Sequence, residues 1–127
     1  MVIIPSQGSH LDAEQAARAI RLIKKQEEAF RLIIPFAVLF TRTSAAIRTR
    51  DLSRIAGEFA VAAAGVFRTQ LHERAAYRAL FAFGGTLDDL DPAQVSNLKP
   101  AIDNACAFAD ETITLLQAHS AQRAEVA

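Results

Sequence analysis

Met1-Val-Ile-Ile-Pro-Ser-Gln-Gly-Ser-His-Leu-Asp12 decides how the rest of the chain is read. Val2 to Ile4 are apolar and β-branched without polar alternation, as in a strand buried on both faces. Pro5 is expected to end that strand. Ser9-x-x-Asp12 and Asp12-x-x-Gln15 both match a capping box, so a helix is expected to start near one of them. A strand running through a Pro/Ser/Gly turn into a helix is the unit from which parallel α/β sheets are built. Where such units make up a nucleotide-binding domain, the expected opening is a strand followed by a glycine-rich phosphate loop and a lysine. No G-x-x-x-x-G-K-[ST] or G-x-G-x-x-G occurs in the 127 residues, and the only glycine pair is Gly84-Gly85. The stretch therefore reads as the interior of such a domain, its phosphate-binding half missing.

Outward from there the spacing alternates. Ala13, Ala16, Ala17, Ile20 and Ile23 recur at helical intervals, with Glu14, Arg18, Arg21, Lys25 and Glu28 on the other side. Ile33 to Phe40 is a continuous apolar run, read as a second buried strand beginning near Pro35, and Thr41 to Arg50 as a polar connection. Leu52, Ile55, Ala56, Phe59, Ala60 and Ala63 predict a helix, with Gly57 permitting close packing and Gly65 capping its end. Val66 to Thr69 is expected to form a third strand. A helix from about Glu73 to Phe83 should stop at Gly84-Gly85. Asp91-Pro92-x-Gln94 is expected to cap a last, long helix carrying Val95, Leu98, Ile102, Ala105, Ala109, Ile113 and Leu116, kinked or restarted at Pro100.

The fold class is thus α/β: a three-stranded parallel sheet with flanking helices and a long C-terminal helix. Residues 1–118 form one domain and 119–127 a frayed tail. Strands this far apart in sequence require crossovers rather than hairpins. So small a parallel sheet is expected to need a partner, another copy or another protein, along one edge.

Composition narrows the setting. Fourteen basic and fourteen acidic residues cancel, so the total charge predicts no general attraction to polyanions. The distribution is uneven. Seven arginines between Arg42 and Arg78 face only Asp51, Glu58 and Glu73, whereas six acids between Asp88 and Glu111 face Lys99 alone. Arg48, Arg50 and Arg54 near a helix start suit bidentate phosphate or DNA contact, against the alternative of a hydrated loop. The single cysteine, Cys106, fits a reducing cytoplasm and is expected to pack inertly. No apolar run reaches the ~20 residues needed to cross a bilayer. His10, His72 and His119 lack metal-ligand spacing, and Ser44, Ser53 and Ser96 lack a nucleophile-elbow setting. Asp88, Asp89 and Asp91 read as a turn rather than a calcium loop. No metal site is expected.

Three passages carry a family resemblance. Ile3-Ile4-Pro5-Ser6-Gln7-Gly8-Ser9-His10-Leu11-Asp12 resembles the "ΦΦP-T/S-x-x-S-x-x-D" passage of ParA/MinD-type partition ATPases, a deviant P-loop group. Phe36 to Thr43 is similar to their "ΦΦΦN-R/K" strand, and Gly65 to Tyr77 to their "ΦΦ-T-x-Φ-x-x-R-x-x-Y/F" passage. The stretch Thr41 to Arg50 is closest to plasmid-borne partition and conjugative-transfer members. The resemblance spans about Val2 to Leu116 and covers the back half of the family's domain. It implies that Pro5, Ser9, Asp12, Thr41 and Arg42 belong to the adenine and ribose side of a nucleotide site, with Thr41 where an adenine-reading Asn is usual. The family's phosphate-loop lysines and magnesium ligands have no counterpart. The chain is therefore expected to have no ATPase activity and no cofactor of its own. It is expected to be a non-catalytic module binding DNA or a partition or transfer protein. The alternatives are one half of a split ATPase that binds ATP when completed by a phosphate-loop subunit, or a degraded remnant.

Overall fold

The computed structural model describes residues 1–62 and 64–126. Its elements run β1 (Val2–Ser6), α1 (His10–Phe30), β2 (Phe36–Thr43), α2 (Arg50–Val61), β3 (Leu71–His72), α3 (Ala75–Phe83), a 3-10 turn (Leu87–Asp89) and α4 (Leu98–Val126). The three strands are parallel in the order β1-β2-β3. Fold class and topology are those expected from the sequence.

β2 is the centre of the molecule, and its alternation divides the core. Val38 and Phe40 point to one face, where they meet Ile4 and the buried sides of α1 and α2. Ala37 and Leu39 point to the other, where Phe67, Phe108 and Leu115 close over them. Phe40 packs against Phe59 with ring centroids 6.3 Å apart, and Phe67 against Phe108 at 5.4 Å. α1 and α2 share one face, as same-handed crossovers stepping in one direction across a sheet require. α4 covers the other. A smaller cluster of Ala76, Leu90, Val95, Leu98 and Ala101 ties α3 and the 3-10 turn to α4.

Several boundaries differ from the sequence reading. Pro5 does not end β1; it pairs with Leu39 inside the strand. β1 is an edge strand, and the Val2 N–H points inward to the Pro35 carbonyl at 2.7 Å. Alternation then turns the Pro5 nitrogen to the free side, where no donor is needed. β1 is also only half covered, with Val2 and Pro5 exposed. Ser9, not Asp12, caps α1, accepting the Asp12 N–H at 3.2 Å.

β2 extends through Thr43, into residues the sequence assigned to a polar connection. The third strand lies at Leu71–His72, and the segment expected to form it contributes one isolated bridge, Val66 to Val38. The chain first crosses β2 at Gly65-Val66 and joins it again only after Arg68 and Thr69 have swung out. Along α2, Leu52, Ile55 and Phe59 are buried, but Ala60 is exposed, and Ala63 lies outside the described residues. Gly57 has open space where a Cβ would stand, so it permits no close packing. Ala62, not Gly65, caps α2.

α4 departs most. It starts at Leu98 after Asn97 (φ 54°), so Asp91-Pro92 forms a turn rather than its cap. Pro100 falls in the first turn, where its missing N–H costs nothing and no kink follows. The inward-facing stripe is Ala101, Asn104, Phe108, Glu111 and Leu115, of which Ala101 is buried and the others half-buried, while Ala109, Ile113 and Leu116 are exposed. Cys106 is exposed rather than packed. Helix continues past Ala118, where fraying was expected, to Val126. Among the described residues no helix is long and apolar enough to cross a membrane.

Candidate anion site at the carboxyl ends of the strands

In open parallel sheets, ligands bind beyond the carboxyl ends of the strands. Beyond β2 and β3 lies a hollow of about 380 Å³ whose lining includes Ser44, Arg48, Arg68, Gln70, His72 and Asn104. No carboxylate is among its described lining residues. Ser44 shapes one wall: its hydroxyl accepts the N–H groups of Ala46 and Ile47 at 3.2 and 3.1 Å. This holds the turn that brings Arg48 to the rim. Thr49 then caps α2 through the Leu52 N–H at 3.2 Å, leaving Arg50 exposed on the first helical residue. Arg48 and Arg50 make no ion pair with a described residue, whereas Arg54 is held by Glu58 at 2.6 Å.

The opposite wall is built from α4. Glu111 accepts the Arg68 and Thr69 N–H groups at 2.7 and 2.8 Å. Asn104 donates to the Gln70 carbonyl at 2.8 Å and accepts the His72 N–H at 3.1 Å. The His72 ring bonds to the Thr43 hydroxyl through Nδ1 at 3.0 Å. Burial pushes the Glu111 carboxyl up, but the two backbone N–H donors, the Thr69 side chain and the Arg68 charge outweigh it and hold it below its ordinary value.

A second, largely apolar hollow of about 590 Å³ lies on the α3 side and is lined by Thr41, Arg42, Leu71, Glu73, Tyr77 and Phe81, among others. Arg42 is the extra residue of a bulge between the Thr41–Leu71 and Thr43–His72 pairs, with φ 54°. Its Nε donates to Glu73 at 2.8 Å, and Glu73 also binds Arg78. The hydrogen bond from Arg42 chiefly lowers the Glu73 pKa.

No family model matches the chain. Over 109 residues, 86% of the chain, it is 39% identical to Protein ParA of Rhizobium radiobacter, and it spans about half (49%) of that relative's length. The chain is related to ParA. The site residues that the ParA resemblance implied do not share one pocket. Ser9 and Asp12 are bonded to each other and to the start of α1. Pro5 lies in the β1 ladder, and none of these three lines either hollow. Thr41 and Arg42 line the α3-side hollow, whereas Arg48 lines the other.

Sequence reasoning missed Arg68, His72 and Asn104 as lining residues and Glu111 as their support. A signal existed for the last two. Asn104 and Glu111 fall in phase with Ala101, Phe108 and Leu115, and polar residues on a buried phase need partners.

Proposed function

We propose that this ParA-related chain serves plasmid partition or transfer as a non-catalytic module that contacts DNA phosphates. The observation that carries this reading is the carboxylate-free hollow, with Arg48 and Arg68 on its walls and Arg50 exposed on the adjoining α2 turn. Guanidinium groups bind phosphate oxygens bidentately, and the N-terminal dipole of α2 adds to the attraction. Arg54 is committed to Glu58 and contributes less. Nucleotide turnover requires a loop wrapping the phosphates together with a lysine. These 127 residues contain no such motif, which supports a role without hydrolysis.

The test is binding of the purified chain to a labelled 20-base-pair duplex across a salt series. Each neutralised phosphate releases counterions, so log K should fall with log salt at a slope of about −0.9 per contact. Absence of binding at low salt, or binding indifferent to salt, removes the reading.

A second reading rests on β1. Its outer edge carries no partner among the described residues, and its carboxyl end leads into the Ser6-to-Ser9 turn. A separate segment bearing a phosphate loop would extend the sheet there and bring its loop beside Pro5, Ser9 and Asp12, whereas Thr41 and Arg42 stand apart on the α3-side hollow. ATP hydrolysis that appears only on mixing the two pieces distinguishes this reading from the first.

A further inference from the structure

The outer edge of β3 and the segment before it are satisfied by side chains of a helix rather than by another strand. An edge strand presents a row of free N–H and C=O groups. Here the Arg68 and Thr69 N–H groups, the Gln70 carbonyl and the His72 N–H bond to Glu111 and Asn104. These two residues stand two helical turns apart on one face of α4. Tyr77 of α3 fixes the same face, donating to the Ala101 carbonyl at 2.9 Å and lying 3.2 Å from Asn104 Oδ1.

We infer that Glu111 and Asn104 are positioning residues for the anion hollow: docked α4 holds the Arg68-to-His72 segment so that Arg68 and His72 face Arg48. The inference rests on the phosphate-binding reading above. Glu111 lies outside the lining of the hollow and acts only through the backbone it holds, whereas Asn104 both holds the segment and lines the hollow. Released from α4, the segment keeps the Val66 bridge, the short β3 ladder and the His72–Thr43 bond, but the Arg68 and Thr69 N–H groups lose their partner. Two arginines brought together without a ligand repel each other, so a fixed backbone is what keeps both on the hollow.

Charge and position make opposite predictions for Glu111→Gln. Removing a carboxylate near Arg68 raises the local positive charge and would by itself tighten binding of the 20-base-pair duplex. Loss of positioning weakens it, because a carboxamide can accept only one of the two N–H groups and opposes the other. The expected result is weaker binding, with a salt slope smaller by about one contact, as for Arg68→Gln. The double variant Arg68→Gln/Glu111→Gln should bind no worse than Arg68→Gln alone, since the two act through one group.

Asn104→Ala, which changes no charge, should weaken binding in the same direction. Amide exchange supplies an independent readout: Arg68, Thr69 and His72 should exchange faster in Glu111→Gln while Val38 and Phe40 stay protected. Tighter binding by Glu111→Gln, or unchanged exchange at 68–72, overturns the inference. If Arg68→Gln leaves duplex binding untouched while exchange at 68–72 rises in Glu111→Gln, the phosphate reading fails instead, and the α4 clamp is left without a ligand to position.

Discussion

Gly65 and Phe36 approach so closely that a Cβ on Gly65 would stand 3.2 Å from the Phe36 carbonyl oxygen. This is where the chain leaving α2 first meets β2, and the Gly65 carbonyl accepts the Val38 N–H at 2.7 Å. Backbone on both sides leaves little room to yield. Gly65→Ala should therefore destabilise the fold by about 1–3 kcal/mol, the usual cost of overpacking a fitted site. Gly57 provides the control, since a methyl there meets nothing within 4 Å. Gly57→Ala should stabilise α2 by up to ~1 kcal/mol through helix propensity alone. Urea midpoints moving in opposite directions for the two variants are the expected result.

Arg31 caps α1 in the left-handed region at φ 51°, with its N–H and that of Leu32 directed to the Glu27 carbonyl. Glycine is the usual residue at such a position, because a Cβ there costs roughly 1 kcal/mol. The Arg31 side chain is exposed and forms no ion pair with a described residue. Arg31→Gly should raise the melting temperature by a few degrees, and a decrease would show that the arginine contributes more than its backbone costs.

The sequence made the architecture readable where periodicity and burial agree. Val38 and Phe40 sit in an uninterrupted apolar run, and Leu52, Ile55 and Phe59 repeat at helical steps, so β2 and α2 could be placed. The third strand was misplaced because Val66-Phe67 has strand composition but makes only one bridge, whereas the pairing residues Leu71 and His72 look like loop. Val95, Leu98 and Ile102 do pack inward as expected, but the phase of α4 beyond them was misread for a related reason. Ile113 and Leu116 drew the apolar stripe to a face that is exposed, and the buried phase runs through Asn104 and Glu111, whose partners lie 32 to 43 residues away. Arg48 was legible as a candidate from local charge. Its grouping with Arg68 was not, because it depends on how β2 and β3 register. The same long-range geometry separated Thr41 and Arg42 from the hollow that Arg48 lines.

Acid should loosen the α4 face together with the other carboxylate contacts. Glu111 is held below its ordinary value, and so are Glu27, Glu73 and Asp89. The Lys24 hydrogen bond chiefly lowers Glu27, the Arg42 hydrogen bond Glu73, and the Thr86 N–H Asp89. A carboxylate whose folded pKa is depressed contributes stability that is fully present above its unfolded pKa. That contribution is lost as pH falls through the folded value. Stability should therefore change little from these groups above about pH 5 and decline steadily below about pH 4. Urea midpoints between pH 7 and pH 3 measure this, and Glu111→Gln should show a shallower decline than the parent chain.

Arg48 and Arg50 differ in a way that duplex binding can separate. Arg48 lines the hollow together with Arg68, whereas Arg50 is exposed on α2 outside it. If the hollow is the principal phosphate site, Arg48→Gln should weaken binding more than Arg50→Gln, and each lost contact should reduce the salt slope by about 0.9. Arg54→Gln should do least, because its guanidinium is held by Glu58. None of the three side chains is buried, so melting temperatures should stay near that of the parent. Equal losses from all three variants would point to a diffuse basic surface. The order Arg48, then Arg50, then Arg54 places the phosphate at the ends of β2 and β3.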